Sequence, residues 1–301
     1  MSSVPELTQK LHDNLTGKKK GEVVLDIAMN TNFKTRIAIS QYYTSIYGAS
    51  LFEEIKSKIG GDFGYCAAQM FLSPLQFCLH HLKLGLKKGN ECAFEMLTSK
   101  TPEELKIIEN AYNKEENKDL KTDITKTFGG AIGKNFLNLF ILPRSSNSKP
   151  QKSECEKYAN KLIEKEPKYW VEDENLFKEI FIQRSPEELI IIARHYKNYT
   201  GNNLIEVVEK KTKGKAQILL KEILYNNIMP HELFAEKINL AIKGAGTNEE
   251  VLSRVLVSRN EIDMPLIREI YQYKYNITLK EDIIDDTSGA YQKLCVHLSQ
   301  K

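Results

Sequence analysis

The hydrophobic positions of this chain recur at intervals of three and four residues, and hardly anywhere at two. In its last quarter the apolar side chains fall as Leu240 and Ala241, then Val251, Leu252, Val255 and Leu256, then Ile267, Ile270 and Tyr271, then Ile283 and Ile284, and finally Tyr291, Leu294 and Leu298. Each group is the apolar stripe of one amphipathic helix, because side chains three and four apart share a helical face. Nowhere do apolar and polar residues alternate long enough to favour a strand. The pattern predicts five short helices in this stretch and an all-α chain.

The polar punctuation copies itself. Thr101-Pro102-Glu103-Glu104-Leu105-Lys106-Ile107-Ile108 returns 84 residues later as Ser185-Pro186-Glu187-Glu188-Leu189-Ile190-Ile191-Ile192. A Ser or Thr cap, proline at the first helical position and glutamate in the first turn together open a helix. Arg259-Asn260-Glu261-Ile262-Asp263 supplies capping residues again a further 75 positions on, and Asn32-Phe33-Lys34-Thr35-Arg36 begins a matching segment 69 positions before Thr101, with Tyr43 answering Tyr112. Self-similarity at this period marks a repeat architecture. The expected units are residues 1–72, 73–142, 152–228 and 229–301, each of five helices. Loops at Leu72-Ser73-Pro74 and Ile228-Met229-Pro230 bound them, and a polar linker over 143–151 divides the chain into halves.

Composition narrows the function classes. With 41% hydrophobic and 28% charged residues, a chain of 301 residues can bury cores, which excludes disordered and fibrous classes. Lys+Arg 43 against Asp+Glu 40 leaves a net charge of +3, so any basic function must come from local clustering. Basic and aromatic residues do not interleave along any one element, and no nucleic-acid partner is expected. The longest apolar run, residues 136–142 with Asn138 inside it, is far shorter than the roughly 20 residues that cross a bilayer.

The N-terminus lacks the basic-then-apolar order of a secretory signal. Cys66, Cys78, Cys92, Cys155 and Cys295 are scattered without a C-x-x-C, as suits reduced, buried thiols of a cytoplasmic protein. The N-x-T sequons at Asn14, Asn198 and Asn276 are accordingly expected to stay unmodified. His80 and His81 are adjacent, so on a helix they point about 100° apart and cannot share an ion.

Catalytic motifs fail on inspection. Gly129-Gly130-Ala131-Ile132-Gly133-Lys134 places three residues where a phosphate loop needs four, and Asn135 stands where Ser or Thr is required. Glu103, Glu104, Glu187 and Glu188 are first-turn residues that complement a helix dipole. No active site can be named, and the chain is not expected to be an enzyme.

The sharpest signal is Ile242-Lys243-Gly244-Ala245-Gly246-Thr247-Asn248-Glu249-Glu250, followed 40 residues after Gly246 by Asp286 within Asp285-Asp286-Thr287-Ser288-Gly289. Taken alone, the glycines stop one helix, and Thr247 with Glu250 forms a capping box for the next. Taken with the five-helix period and the Ser258-Arg259 pair, the two loops resemble the annexin family and its K-G-x-G-T…D-T-S-G calcium motif. The resemblance covers the whole chain, but the motif is intact only in the last repeat. It implies four annexin-like repeats forming a compact curved disc, and a Ca²⁺ site made by the carbonyls of Ile242, Gly244 and Gly246 with Asp286 as a bidentate cap. Thr247, by its carbonyl, and Glu249, by its carboxylate, match a secondary site of the family. A hard dication takes six to eight oxygens, and one carboxylate among neutral carbonyls leaves positions that a lipid phosphate can fill. The resemblance therefore implies calcium-dependent binding to acidic phospholipid at the inner face of membranes.

The other three repeats depart from that motif. Lys18 and Lys19 occupy the glycine and threonine positions of the first, where Lys58 stands at the cap. The second has a short Leu86-Lys87-Lys88-Gly89-Asn90 loop with Thr127 at the cap, and the third has Lys168-Tyr169-Trp170-Val171-Glu172 with Lys211 at the cap. Glu22, Asp62, Glu172 and Asp173 lie beside these loops and could take an ion only by a different geometry. Lys18, Lys19, Lys58, Lys87, Lys88, Lys168, Lys211 and Lys243 thus crowd the loops that an annexin turns to the membrane. There they would attract anionic lipid without calcium, and Trp170 would enter the interface beside them. A competing expectation is a helical-repeat scaffold that binds cytoskeletal protein and keeps a vestigial calcium loop, as the resemblance to the divergent α-giardins implies.

Overall fold

The computed structural model describes residues 3–17, 20–244 and 246–301, and among them there is no strand. The helices come in four runs of five. The first run is α1 (Val4–Thr16), α2 (Lys20–Asn30), α3 (Phe33–Tyr47), α4 (Leu51–Ile59) and α5 (Gly61–Gln69). The second is α6 (Pro74–Lys88), α7 (Glu91–Thr98), α8 (Pro102–Glu116), α9 (Leu120–Phe128) and α10 (Gly130–Ile141). The third holds α11 (Lys152–Glu164), a 3₁₀ turn (Pro167–Tyr169), α12 (Glu174–Phe177) running into a π-helical turn (Lys178–Ile182), α13 (Pro186–Thr200), α14 (Leu204–Lys211) and α15 (Gly214–Ile228). The fourth is α16 (Pro230–Ile242), α17 (Glu249–Arg259), α18 (Met264–Tyr275), α19 (Leu279–Asp286) and α20 (Gly289–Ser299). The all-α, five-helix-repeat reading holds.

The repeated punctuation opens the third helix of each run. The Thr101 hydroxyl accepts the Glu104 N–H at 3.2 Å while the Glu104 carboxylate accepts the Thr101 N–H at 2.9 Å, and Ser185 with Glu188 does the same at 3.1 and 2.7 Å. Asn32 caps α3 by accepting the Thr35 N–H at 2.9 Å. The fourth copy departs from this scheme. Asp263 stands at the cap of α18 without a side-chain cap bond, because the Arg259 guanidinium at 2.8 Å and His231 Nε2 at 3.1 Å hold its carboxylate. An ion pair has replaced a cap.

The chain folds as two units. The first joins Met1–Phe77 to His231–Lys301, so it unites the first and fourth runs, and the second is Cys78–Pro230. In the first unit, Leu11, Ile39, Phe71, Leu252, Ile267 and Leu294 are fully buried. Burial of such side chains is worth about 1.5–3 kcal/mol each and dominates stability. An ion pair ties the first and fourth runs together inside this unit. Arg36 reaches Glu261 at 2.6 Å, and Glu261 also accepts the Phe33 N–H at 3.0 Å.

In the second unit the core is aromatic. Phe94 lies 4.5 Å from Phe128 and 4.8 Å from Phe136 between ring centres. The polar stretch 143–150 lies inside this unit rather than between the two, and it is fastened there. Arg144 donates to the Arg184 and Phe181 carbonyls at 2.7 and 3.1 Å, and the Ser145 N–H donates to the Gln183 carbonyl at 2.7 Å. All five cysteines are buried, and none is in a disulfide. No helix among the described residues is long and apolar enough to cross a membrane.

Candidate metal centre

In the fourth repeat the loop after α16 and the loop after α19 are tied to one another. The helical ladder ends where the Lys243 N–H donates to the Asn239 carbonyl at 2.8 Å, and the Asn248 N–H returns to the Ala241 carbonyl at 2.7 Å, which closes the loop over residues 243–248. Gly244 at φ 127° and Gly246 at φ 103° both lie where a side chain would be strained. No atom stands within 4 Å of a Cβ built at either one, so the backbone conformation and not crowding demands glycine.

Asn248, not Thr247, caps α17, by accepting the Val251 N–H at 3.2 Å. This corrects the capping box expected of Thr247 and Glu250. The Thr247 hydroxyl instead donates to Asp286, at 3.1 Å from the main-chain carbonyl and 2.5 Å from a carboxylate oxygen. It thereby draws the half-buried Asp286 to the glycine loop.

The frame behind Asp286 is built from the same short sequence. Gln292 Nε2 donates to the carbonyls of Ile284 and Thr287 at 2.9 and 2.5 Å, and the Thr287 hydroxyl donates to the Ile283 carbonyl. These bonds satisfy the end of α19, whose last carbonyls have no helical partner. On the other side the Tyr291 hydroxyl donates to the Glu249 carbonyl at 3.2 Å and contacts Ser253 Oγ at 2.9 Å. Burial pushes the Tyr291 phenol far above its ordinary pKa, so it remains a neutral donor.

The groups these two loops carry are one carboxylate, main-chain carbonyls and a hydroxyl. Among the described residues no group of three or more His, Cys, Asp and Glu side chains is arranged to hold a metal ion. A hard cation held chiefly by neutral oxygens does not need such a group. Ile242, Gly244, Gly246 and Asp286 are the residues that would hold calcium, with Thr247 beside Asp286 and Glu249 at the head of α17. When bound, the ion would supply uncompensated positive charge at the loop surface.

The equivalent loops of the second and third repeats are closed by the chain's own groups. In the second, only Gly89 and Asn90 separate α6 from α7. Asn90 caps α7 through the Cys92 N–H at 3.2 Å, and the Thr127 hydroxyl occupies the Leu86 carbonyl at 3.3 Å. A Cβ on Gly85 would lie 2.3 Å from the Ala93 nitrogen, so the two helices cross where only glycine fits. In the first repeat, Lys58 pairs with Glu54 one turn back, and Glu22 and Asp62 are exposed. Lys18 and Lys19 lie outside the described residues.

In the third repeat, Lys211 stands exposed at the place of Asp286, on a nearly identical frame. The Thr212 hydroxyl donates to the Val208 carbonyl at 2.6 Å, and Gln217 Nε2 donates to the Glu209 and Thr212 carbonyls at 2.7 and 2.8 Å. Asp173 pairs with Lys165 and accepts the Leu176 N–H at 3.1 Å. The Lys165 ammonium holds the Asp173 carboxyl below the usual carboxylate range.

Trp170 overturns its expectation of interfacial exposure. It is fully buried, its indole N–H donates to the Lys165 carbonyl at 3.0 Å, and its ring lies against Phe181 and Tyr196. The 3₁₀ turn folds the indole inward, and its one polar atom is satisfied there, so a move to an interface would break both arrangements. Lys87, Lys88, Lys168, Lys211 and Lys243 are exposed, with Lys168 paired to Glu166 at 2.7 Å.

Comparison with known proteins bears on the family and the fold. The family model described as annexin matches residues 158–223 and 233–298. Annexin A1 of Equus caballus is 30% identical over 292 residues, covering 96% of this chain and 84% of that protein. The structure of chicken annexin V in complex with Zn²⁺ superposes with a TM-score of 0.89 at 27% identity, covering 99% of this chain and 95% of that one. Calcium-bound α-14 giardin shares the fold, with a TM-score of 0.80 at 18% identity over 98% of this chain and 99% of that one. The four five-helix runs, the tied glycine and acidic loops, and the extent and identity of these matches show that the chain belongs to the annexin family.

Proposed function

We propose that this chain binds acidic phospholipid surfaces in a calcium-dependent manner through the fourth-repeat loops, with Ile242, Gly244, Gly246 and Asp286 as the ligand residues. Annexins generally bind phospholipid in that way. The observation that carries the reading to these loops is the Thr247–Asp286 hydrogen bond, which joins the glycine loop to its carboxylate. Two glycines in a conformation that other residues avoid support it.

The site leaves charge uncompensated, so ion and anionic lipid favour each other, and the ion's apparent affinity rises on a charged surface. The exposed lysines Lys87, Lys211 and Lys243 add a calcium-independent attraction of about 1 kcal/mol each near the surface. Lys58 and Lys168 contribute less, because Glu54 and Glu166 already pair with them. The role is one of peripheral binding at the cytoplasmic face of a membrane, and no catalysis is part of it.

Co-sedimentation with phosphatidylserine vesicles, with calcium or with chelator, tests this. Calcium-dependent pelleting that Asp286→Ala removes is the expected result. Calcium-dependent pelleting untouched by that substitution would move the site elsewhere, and a chain that never pellets would leave only the cytoskeletal-scaffold alternative.

A further inference from the structure

The second repeat contains a cation of its own. Lys215, the second residue of α15, lies far from the second repeat in sequence, yet its ammonium stands between that repeat's two loops. It is 3.4 Å from the Thr127 carbonyl at the end of α9 and 3.4 Å from where a Cβ on Gly89 would be, after α6. It also lies 5.1 Å from the centre of the Phe128 ring. Gly89 is at φ 62°, so a side chain there would be strained, and its Cβ would lie in ordinary contact with the ammonium. Gly89 and Thr127 occupy the stations that Gly244–Gly246 and Asp286 hold in the fourth repeat. Where the fourth repeat offers oxygens to a cation, the second already holds one.

This ammonium is not neutralised. Among the described residues no carboxylate lies within ion-pairing distance of Lys215. A carbonyl and an aromatic face contact it, and an ammonium has three hydrogen-bond donors. Exposed lysines stand beside the two loops: Lys87 on the last turn of α6 and Lys126 on the last turn of α9. Two nearby carboxylates are Glu91 at the start of α7 and Asp123 on α9, and Asp123 is engaged by the Tyr112 hydroxyl at 2.9 Å. The loop pair is therefore strongly basic around a half-buried ammonium.

We propose that the second-repeat loop pair is a calcium-independent phosphate site, in which Lys215 takes the part of the missing metal ion and Lys87 and Lys126 complete the cation set. Its ligand is the phosphate group of an anionic lipid headgroup, and free inorganic phosphate presents the same chemistry. A compact ammonium suits this role as a point charge rather than a bidentate fork. The proposal rests on the reading that these loops face the lipid, and the two fail separately, because Asp286 serves only the fourth repeat.

The experiment partitions wild type, Asp286→Ala, Lys215→Gln, Lys215→Arg and Lys152→Gln onto phosphatidylserine/phosphatidylcholine vesicles in chelator at low salt. Lys152→Gln removes one well-exposed charge elsewhere. Wild type and Asp286→Ala should bind alike, Lys215→Gln about fivefold more weakly, and Lys215→Arg near wild type. Equal loss from Lys215→Gln and Lys152→Gln would reduce the effect to net charge and overturn the proposal. So would a wild type that shows no binding in chelator, whatever Asp286→Ala does in calcium.

A second arm compares melting temperatures in inorganic phosphate and in chloride at matched ionic strength. Stabilisation of wild type but not of Lys215→Gln would show that free phosphate enters the site. Vesicle binding that depends on Lys215 without such stabilisation would assign the site to the lipid headgroup. Neither effect would sink it.

Discussion

The second and fourth repeats bring the same two interhelical loops together and close them with opposite electrostatics. In the fourth, six residues separate the helices, two glycines hold left-handed backbone, and a threonine draws a carboxylate to the glycine loop. In the second, two residues separate them, a threonine hydroxyl occupies the carbonyl, and a lysine from the next repeat fills the gap. The helical frame survives in both, because cores and caps specify it. What a loop pair binds is thus decided by a handful of residues that contribute nothing to the core, and the fold tolerates either solution.

Removing the anion of the fourth repeat should break the comparison most severely. Asp286→Ala is expected to weaken calcium affinity on phosphatidylserine vesicles by at least about a hundredfold, since even partners outside the ligand sphere typically cost 10–100-fold. Calcium titration of vesicle binding measures it. Next in size is a purely structural effect on the second repeat. Gly85→Ala drives a methyl into the Ala93 backbone and should lower unfolding stability by about 1–3 kcal/mol, read by denaturant melting, while calcium-dependent binding keeps its midpoint.

Thr247→Val keeps the shape and removes the hydroxyl that orients Asp286, so about a tenfold loss of calcium affinity is expected, with little change in melting. The smallest effect belongs to the third repeat. Asp173 has a lowered carboxyl pKa because Lys165 pairs with it, so its contribution is present above the unfolded value near 4 and is lost as pH falls through the lower folded value. An Asp173→Asn chain should therefore show a shallower loss of stability on acidification, visible in melting curves taken below pH 4.

Much of this was legible in the sequence, and the reasons for the rest are physical. The five-helix period and the caps at Thr101 and Ser185 are local signals, and they fold as read because an N-cap and its partner lie three residues apart. Asn248 and Thr247 are adjacent possible caps, and only the return of the chain to Ala241 decides between them. Trp170 sits among Lys168, Tyr169 and Glu172, which gives no hint that its ring turns inward to Phe181 and Tyr196. Lys215 was invisible as a functional residue because its contacts lie far away in sequence. Lys58 opposite Glu54 was readable as an ordinary pair one helical turn apart, which is how it folds.

The union of the first and fourth runs in one unit, locked by Arg36 and Glu261, has a consequence for the order of synthesis. Domains fold as they emerge at about 5–20 residues per second, and contacts between distant segments wait for the later one. The second unit is one unbroken stretch and can finish while the chain is still being made. The first cannot: its opening five helices must wait for α20, and until then Cys66, Ala67 and Phe71 lack the partners that bury them. The unit that carries the tied glycine and acidic loops is the last to mature, so a ribosome that stalls late leaves behind a nascent chain with one finished unit and one open one.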